Sequence, residues 1–177
     1  SVKDAIEKID FLLGSSIQKK LRSDVAIGTS LSGGLDSSTI AAYLASKKIN
    51  LTTFSATFPS FEKDESPFIQ KITSKFQLQN FVITPTADDL INDFEKLCYH
   101  QEEPFNSSSI FAQYKVFELA KQHNVPVLLD GQGADEIFAG YTKYIHWFLQ
   151  EILSRHKLGQ NLNQLKQLRK NNQPFTW

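Results

Sequence analysis

The sequence contains no methionine and a single cysteine, Cys98, among its 177 residues. One cysteine cannot form a disulfide within the chain, and without a CxxC pair no thiolate site for zinc or an iron–sulfur cluster is available. We expect Cys98 to be a small buried apolar residue. Because methionine is absent even at position 1, the sequence is interpreted as a segment of a longer protein.

The sequence also lacks a charge excess and a long apolar run. Nineteen basic residues balance nineteen acidic ones, so neither nucleic acid nor an anionic membrane is expected as a partner. The longest apolar runs, such as residues 40–44 and 125–129, fall far short of the roughly 18 residues of a bilayer span. The N-terminal residues alternate charged and aliphatic side chains, unlike a signal peptide, and we therefore expect a cytoplasmic protein.

Helical and strand-like segments alternate along the chain. Helical periodicity predicts an amphipathic helix over residues 2–21 with a broad apolar face, and further helices over 37–48, 66–76, 88–99 and from about 110 onward. Strand-like runs cover 24–31, 51–58, 80–84 and 125–129, the last being the clearest buried strand. This alternation predicts an α/β fold with a parallel β-sheet flanked by helices on both faces.

The domain prediction follows from composition. Residues 1–157 are expected to form one domain that includes the N-terminal helix. Beyond Glu151 the chain has no acidic residue, and residues 158–177 are expected to form a C-terminal helical extension at the start of a further, truncated region.

A glycine-containing segment, Ser32-Gly33-Gly34-Leu35-Asp36-Ser37-Ser38, follows the first strand and opens a helix. At this location backbone N–H groups and the positive helix end favour an anion, which predicts phosphate binding. Asp36 would repel phosphate unless a cation stood between them, so its presence indicates Mg²⁺ held jointly by protein and phosphates. The alternative is a tight turn in which Asp and Ser only cap the helix. The segment fits neither the Walker A nor the dinucleotide-binding pattern.

A second segment of this kind follows the fourth strand: Asp130-Gly131-Gln132-Gly133-Ala134-Asp135-Glu136-Ile137-Phe138-Ala139-Gly140-Tyr141. Its glycines allow a tight turn close to a ligand, and Asp135 is a candidate for a second magnesium carboxylate. The alternative is a glycine turn with solvated acids.

The first segment resembles the SGGxDS signature of the N-type ATP pyrophosphatases, which cleave ATP between the α- and β-phosphates. With the second segment, the chain is similar over about residues 20–147 to the synthetase domain of the glutamine-dependent asparagine synthetases. This resemblance implies an adenine nucleotide alpha-hydrolase-like, Rossmann-like fold, ATP and Mg²⁺ as cofactors, and a separate N-terminal glutaminase domain as partner.

The resemblance also implies roles for individual residues. The residues that it implies at the pyrophosphate are Ser32, Gly33, Gly34, Asp36, Ser37 and Ser38. It implies that Leu31 and Ala56 line the adenine site and that Asp130 and Gly131 lie along the ATP and adenylate. It also implies that Asp36 and Asp135 bind Mg²⁺. Gln132 departs from the pattern, because asparagine synthetases place there an acid that assists the attack of ammonia.

The expected function is therefore an ATP-dependent amide-forming ligase that adenylates a carboxylate, aspartate by resemblance, and then transfers ammonia. We expect this chain alone to be inactive, since a lysine that the family has after the second segment finds no match in residues 142–177. Two alternatives stay open: an amidotransferase or cyclase of the same superfamily with another acceptor, and a non-catalytic nucleotide-binding module. The sequence is compatible with a homodimer and leaves the oligomeric state open.

Overall fold

The computed structural model describes residues 1–47, 51–59, 61–62, 64–138, 140–154 and 166. The chain divides into two compact units, residues 1–131 and 132–177. The elements of the first unit are, in chain order, α1 (Val2–Lys20), β1 (Ile27–Ser30), α2 (Leu35–Ser46), β2 (Thr52–Ala56), α3 (Ser66–Phe76), β3 (Gln79–Ile83), α4 (Ala87–Gln101), α5 (Ser109–Gln122) and β4 (Val127–Leu129). The second unit contains α6 (Ala134–Phe138) and α7 (Thr142–Ser154).

The four strands form a parallel sheet in the order β3-β2-β1-β4. Strand β1 pairs with β2 on one side and with β4 on the other, with Ser30 opposite Phe54 and Thr29 opposite Leu129. The chain therefore leaves β1 towards one edge of the sheet and returns to its other side with β4. The predicted α/β fold with a parallel sheet is confirmed, and the sheet has a switch point between β1 and β4.

Two apolar clusters cover the sheet. The first joins α1, α2 and α3 to the sheet through Ile17, Leu31, Ala41, Leu44, Leu51 and Ile69. The second joins α5 to the sheet through Phe54, Val116, Ala120 and Val125. Successive side chains of a strand point to opposite faces, so Phe54 faces α5 while Thr53 and Ser55 face the other layer.

Local sequence explains where the helices begin. Helix α4 starts with a capping box, in which the Thr86 hydroxyl accepts from the Asp89 N–H and the Asp89 carboxylate accepts from the Thr86 N–H. Helix α3 starts with Pro67 in its first turn, where the missing N–H costs no intrahelical hydrogen bond. Both starts lie within one or two residues of the predicted ones.

A buried lysine connects α4 to α5. The Lys115 ammonium donates to Asp93 Oδ2 at 3.0 Å and also to Glu118. Burial by itself lowers the pKa of Lys115, but the hydrogen bonds and charges of Glu118 and Asp93 together outweigh it and raise that pKa. The two helices are thus held together by a charged contact beside the second apolar cluster.

Two expectations from the sequence, the burial of β4 and that of Cys98, are wrong, and the exposure of much of α1 was not predicted. The strand predicted as the clearest buried one is short, and Val127 is exposed because β4 pairs with only one other strand of the described sheet. The apolar face of α1 is largely uncovered: Ile17 is buried, whereas Ile6 and Phe11 are exposed, since α1 packs against α2 through its second half. Cys98 is exposed on α4.

The region predicted as a C-terminal extension, residues 158–177, lies outside the described residues except for position 166. Within the described ranges, no helix has the length and apolar character needed to cross a membrane.

Candidate functional site

The candidate site begins where β1 ends. The chain passes from Ser30 through residues 31–34 into α2, and Gly33 has a φ of +83°. A Cβ atom at Gly33 would lie 2.8 Å from Phe68 Cβ and 3.0 Å from the Ile69 nitrogen. Glycine is therefore required at this position for two reasons, the backbone conformation and the close approach of α3.

The start of α2 offers an anion site. Gly34 is the N-cap residue and, having no side chain, provides no side-chain cap for the first N–H groups of the helix. These N–H groups and the helix dipole place partial positive charge at the carboxyl end of β1. The Ser38 hydroxyl is buried without a hydrogen-bond partner among the described residues. An uncapped helix start beside an unpaired hydroxyl is suited to phosphate oxygens.

Two other hydroxyls of the segment hold the loop in shape. Ser32 Oγ and Ser37 Oγ lie 3.0 Å apart, and each also accepts a backbone N–H of the loop, from Gly34 and Ser32 respectively. Ser37 is buried, and its hydroxyl also donates to the Gly34 carbonyl at 3.3 Å. In this structure their hydrogen bonds are therefore internal to the loop, and their contact with a pyrophosphate stays a prediction.

The second predicted segment brings Asp130 and Gly131 to the same place. Asp130 follows β4, and its Oδ2 accepts hydrogen bonds from Ser30 Oγ at 2.7 Å and from Gln113 Nε2 at 3.0 Å. Its Oδ1 accepts from the Gly131 N–H at 2.7 Å. A Cβ atom at Gly131 would lie 3.0 Å from Asp36 Cβ, so the residue that follows Asp130 lies against the start of α2.

Gln113 contacts the candidate site through Asp130, and nothing in the sequence pattern pointed to it. It lies on α5, 17 positions before Asp130 in the chain, and belongs to neither glycine-containing segment. No spacing rule connects a helix residue with the end of the following strand. Only the tertiary structure identifies it.

The residues predicted at the adenine lie at the ends of the two central strands. Leu31 has a fully buried side chain in the first apolar cluster, and its carbonyl accepts a hydrogen bond from Ser55 Oγ at 2.7 Å. Ala56 ends β2 and is half-buried. Both lie near the carboxyl edge of the sheet, and their role at a nucleotide base stays a prediction.

The donor set at Asp36 is compatible with Mg²⁺ shared with a ligand. Asp36 is half-buried in the first turn of α2, and its carboxylate makes no hydrogen bond or ion pair with another described residue. Across the described ranges, no three His, Cys, Asp or Glu side chains are close enough to hold a metal ion. Magnesium commonly takes only one or two protein carboxylates and completes its shell with water and phosphate oxygens, so this chemistry fits.

Gln132 and Asp135 belong to the second unit. Gln132 is exposed, Gly133 has a φ of +88°, and Asp135 lies in the first turn of the short helix α6. The Asp135 carbonyl accepts from the Gly140 N–H at 3.0 Å, which closes the end of this helix. The predicted role of Asp135 at Mg²⁺ stays a prediction.

A neighbouring hydrogen bond in the second unit perturbs two side chains. The Tyr141 hydroxyl donates to Glu136 Oε1 at 2.7 Å. This hydrogen bond lowers the pKa of the Glu136 carboxyl and raises the pKa of Tyr141 to about 12. At neutral pH Glu136 is therefore ionised and Tyr141 keeps its proton, so the contact between them is intact.

The parallel sheet and the loop at its switch point define a Rossmann-like α/β protein with a candidate anion site at the start of α2. The same fold occurs in the NH3-dependent NAD synthetase from Campylobacter jejuni, with a TM-score of 0.52, 19% identity, and coverage of 76% of this chain and 60% of that one. The adenine nucleotide alpha-hydrolase-like fold expected from the sequence is confirmed.

Residues 8–175 match the profile of the asparagine synthase family, and the chain belongs to this family. It is 34% identical over 155 residues to the putative asparagine synthetase [glutamine-hydrolyzing] 2 of Methanocaldococcus jannaschii, covering 86% of this chain and 30% of that protein. It is 30% identical over 139 residues to asparagine synthetase [glutamine-hydrolyzing] 1 of Bacillus subtilis, covering 78% and 22%. The chain thus spans less than a third of the length of these relatives.

Proposed function

We propose that this chain is the synthetase domain of an ATP-dependent amide-forming ligase. A carboxylate oxygen of the acceptor, with aspartate as the first candidate, attacks the α-phosphorus of ATP. The bond from that phosphorus to the oxygen it shares with the β-phosphorus breaks. Pyrophosphate leaves, and the acceptor becomes an acyl-adenylate. The nitrogen of ammonia then attacks the acyl carbon, and AMP departs with the oxygen that joined this carbon to the phosphorus. A proton passes to solvent or to AMP.

The observation that supports this proposal most directly is the uncapped start of α2 at the switch point, with Gly33 and Gly34 before it and the unpaired Ser38 hydroxyl beside it. Pyrophosphate is the part of ATP that such a site recognises. Asp36 would hold Mg²⁺ together with phosphate oxygens, and Asp135 is proposed as its second carboxylate. When bound, this ion neutralises charge on the leaving pyrophosphate.

The chain's own residues contribute mainly by positioning the substrates. The N–H groups at the start of α2 are fixed in direction before the ligand arrives, so little reorganisation is needed as charge develops on pyrophosphate. We propose that Leu31 and Ala56 adjoin the adenine and that Asp130 and Gly131 adjoin the adenylate. A glutaminase domain is the proposed source of ammonia, since the relatives are named glutamine-hydrolysing.

The first test replaces Asp36 with asparagine. We expect Asp36→Asn to weaken Mg²⁺-dependent ATP binding by about tenfold or more, because the amide presents an N–H group where a cation is coordinated. Calorimetric titration of ATP with and without Mg²⁺ measures this effect. Asp24→Asn is the matched control, since Asp24 is exposed and lies before β1. Equal affinity of Asp36→Asn and the parent protein would assign Asp36 to helix capping alone.

Gln132 supports a second candidate, a ligase of the same family that acts on another acceptor. An amide side chain cannot take a proton near neutral pH, so Gln132 is not a general base. General-base assistance is worth roughly 10² to 10⁴ in rate, so its absence slows the amide-forming step or redirects the reaction to another acceptor.

The second test replaces Gln132 with glutamate in the full-length protein. We expect Gln132→Glu to raise ammonia-dependent turnover with little change in ATP–pyrophosphate exchange, measured across a panel of carboxylic acids. A parallel fall of both rates would indicate that Gln132 binds the acceptor, and it would favour the second candidate.

A further inference from the structure

The carboxylate of Asp130 is held from three directions. Ser30 at the end of β1 and Gln113 on α5 both donate to its Oδ2, at 2.7 and 3.0 Å. The N–H of Gly131 donates to its Oδ1 at 2.7 Å. Each of the two oxygens therefore has a protein donor, and the direction of the carboxylate is determined by the surrounding chain.

The position of Gln113 on its helix explains why its amide reaches this carboxylate. Val116 and Ala120 lie three and seven residues after it, on the same face of α5, and both are buried in the second apolar cluster. Gln113 is the polar end of this packed face. An N–H group of the amide rather than the amide oxygen must face the carboxylate, because an ionised carboxylate only accepts hydrogen bonds.

The Asp130 side chain in turn positions the backbone that follows it. Its hydrogen bond to the Gly131 N–H holds the first turn after β4, and Gly131 lies directly against the start of α2. A Cβ atom there would be 3.0 Å from Asp36 Cβ and 3.3 Å from the Ser37 nitrogen. A rotation of the Asp130 carboxylate would therefore shift backbone that contacts the phosphate loop.

We infer that Gln113 is a positioning residue of the candidate nucleotide site, acting through the Asp130 carboxylate on the Gly131 backbone. The link of this residue to ATP rests on the proposed function. The link to Gly131 does not, because the hydrogen bonds concerned lie within the chain.

The test compares Gln113→Leu with Gln122→Leu. Gln122 lies on the same helix but is exposed, so its replacement controls for general effects on α5. Amide hydrogen exchange at Gly131, measured without nucleotide, is the primary readout. We expect exchange at Gly131 to become about tenfold faster in Gln113→Leu and to stay unchanged in Gln122→Leu. Unchanged exchange at Gly131 in both variants would overturn the inference.

Affinity for Mg-ATP is the second readout. We expect Gln113→Leu to weaken it by about tenfold, and to have no further effect when Asp130 is already replaced with alanine, because the two residues then act as one unit. Additive losses would show that Gln113 does not act through Asp130, which contradicts the inference. If the parent protein bound no ATP while Gly131 still lost protection in Gln113→Leu, the positioning role would stand and the proposed function would fail.

Discussion

Replacing Gly33 with alanine tests the geometry of the phosphate loop. Gly33 has a φ of +83°, a region that residues with a Cβ atom rarely adopt. An added Cβ atom would also lie 2.8 Å from Phe68 Cβ and 3.0 Å from the Ile69 nitrogen. Neither of these atoms is the far end of a flexible side chain, so α3 or the loop must shift.

The expected loss in the free energy of unfolding follows from the backbone strain and from the overpacking against α3. The positive φ costs about 1–2 kcal/mol for a residue other than glycine. Overpacking against α3 adds about 1–3 kcal/mol. We therefore expect Gly33→Ala to lower the free energy of unfolding by about 2–5 kcal/mol, and a loss of about 3 kcal/mol lowers the Tm by about 6–12 °C for a chain of this length.

Urea unfolding followed by far-ultraviolet circular dichroism measures this loss, and ATP titration measures its effect on the site. Gly34→Ala is the matched control, because Gly34 has a φ of −66° and its added Cβ atom would meet only the Ser32 hydroxyl, at 3.3 Å. We expect that control to cost less than about 1 kcal/mol. Equal losses in the two variants would contradict this prediction, since the backbone conformation and the contact with α3 distinguish the two glycines.

Two further predictions concern charged contacts. Lys115→Met should lower the free energy of unfolding by about 2 kcal/mol, because it leaves the Asp93 carboxylate without the cation that it binds and Glu118 with only Lys96 among the described residues, at 3.4 Å. Because the pKa of Lys115 is raised, the stability that its ion pairs contribute is fully present below the usual lysine pKa of about 10.4 and is lost as the pH rises through the raised value. Denaturation at several pH values measures this dependence. A variant as stable as the parent at neutral pH would contradict the prediction. Glu136→Gln should bring the pKa of Tyr141 down from about 12 towards 10.0, because the carboxylate that stabilises its protonated form is gone. Ultraviolet titration of tyrosine measures this shift, Glu95→Gln is the control on an exposed acid of α4, and an unchanged titration in Glu136→Gln would rule out the contact.

Local sequence predicted the helices and strands of the first unit and the positions of the two glycine-containing segments, whereas α6 and α7 of the second unit were not predicted. Helices and strands depend on the spacing of apolar residues over one or two turns, and caps such as Thr86 depend on side chains three positions apart. These features involve near neighbours in the chain, so a single sequence is enough to predict them.

Tertiary structure alone decided which strand ends meet. Ser30 and Asp130 are 100 positions apart, yet the order β3-β2-β1-β4 makes them hydrogen-bonded neighbours. It also decided that Gln113 faces Asp130, that β4 has an exposed residue, and that the first half of α1 is uncovered. Strand order and helix docking depend on crossovers and packing over the whole chain, and no local periodicity encodes them.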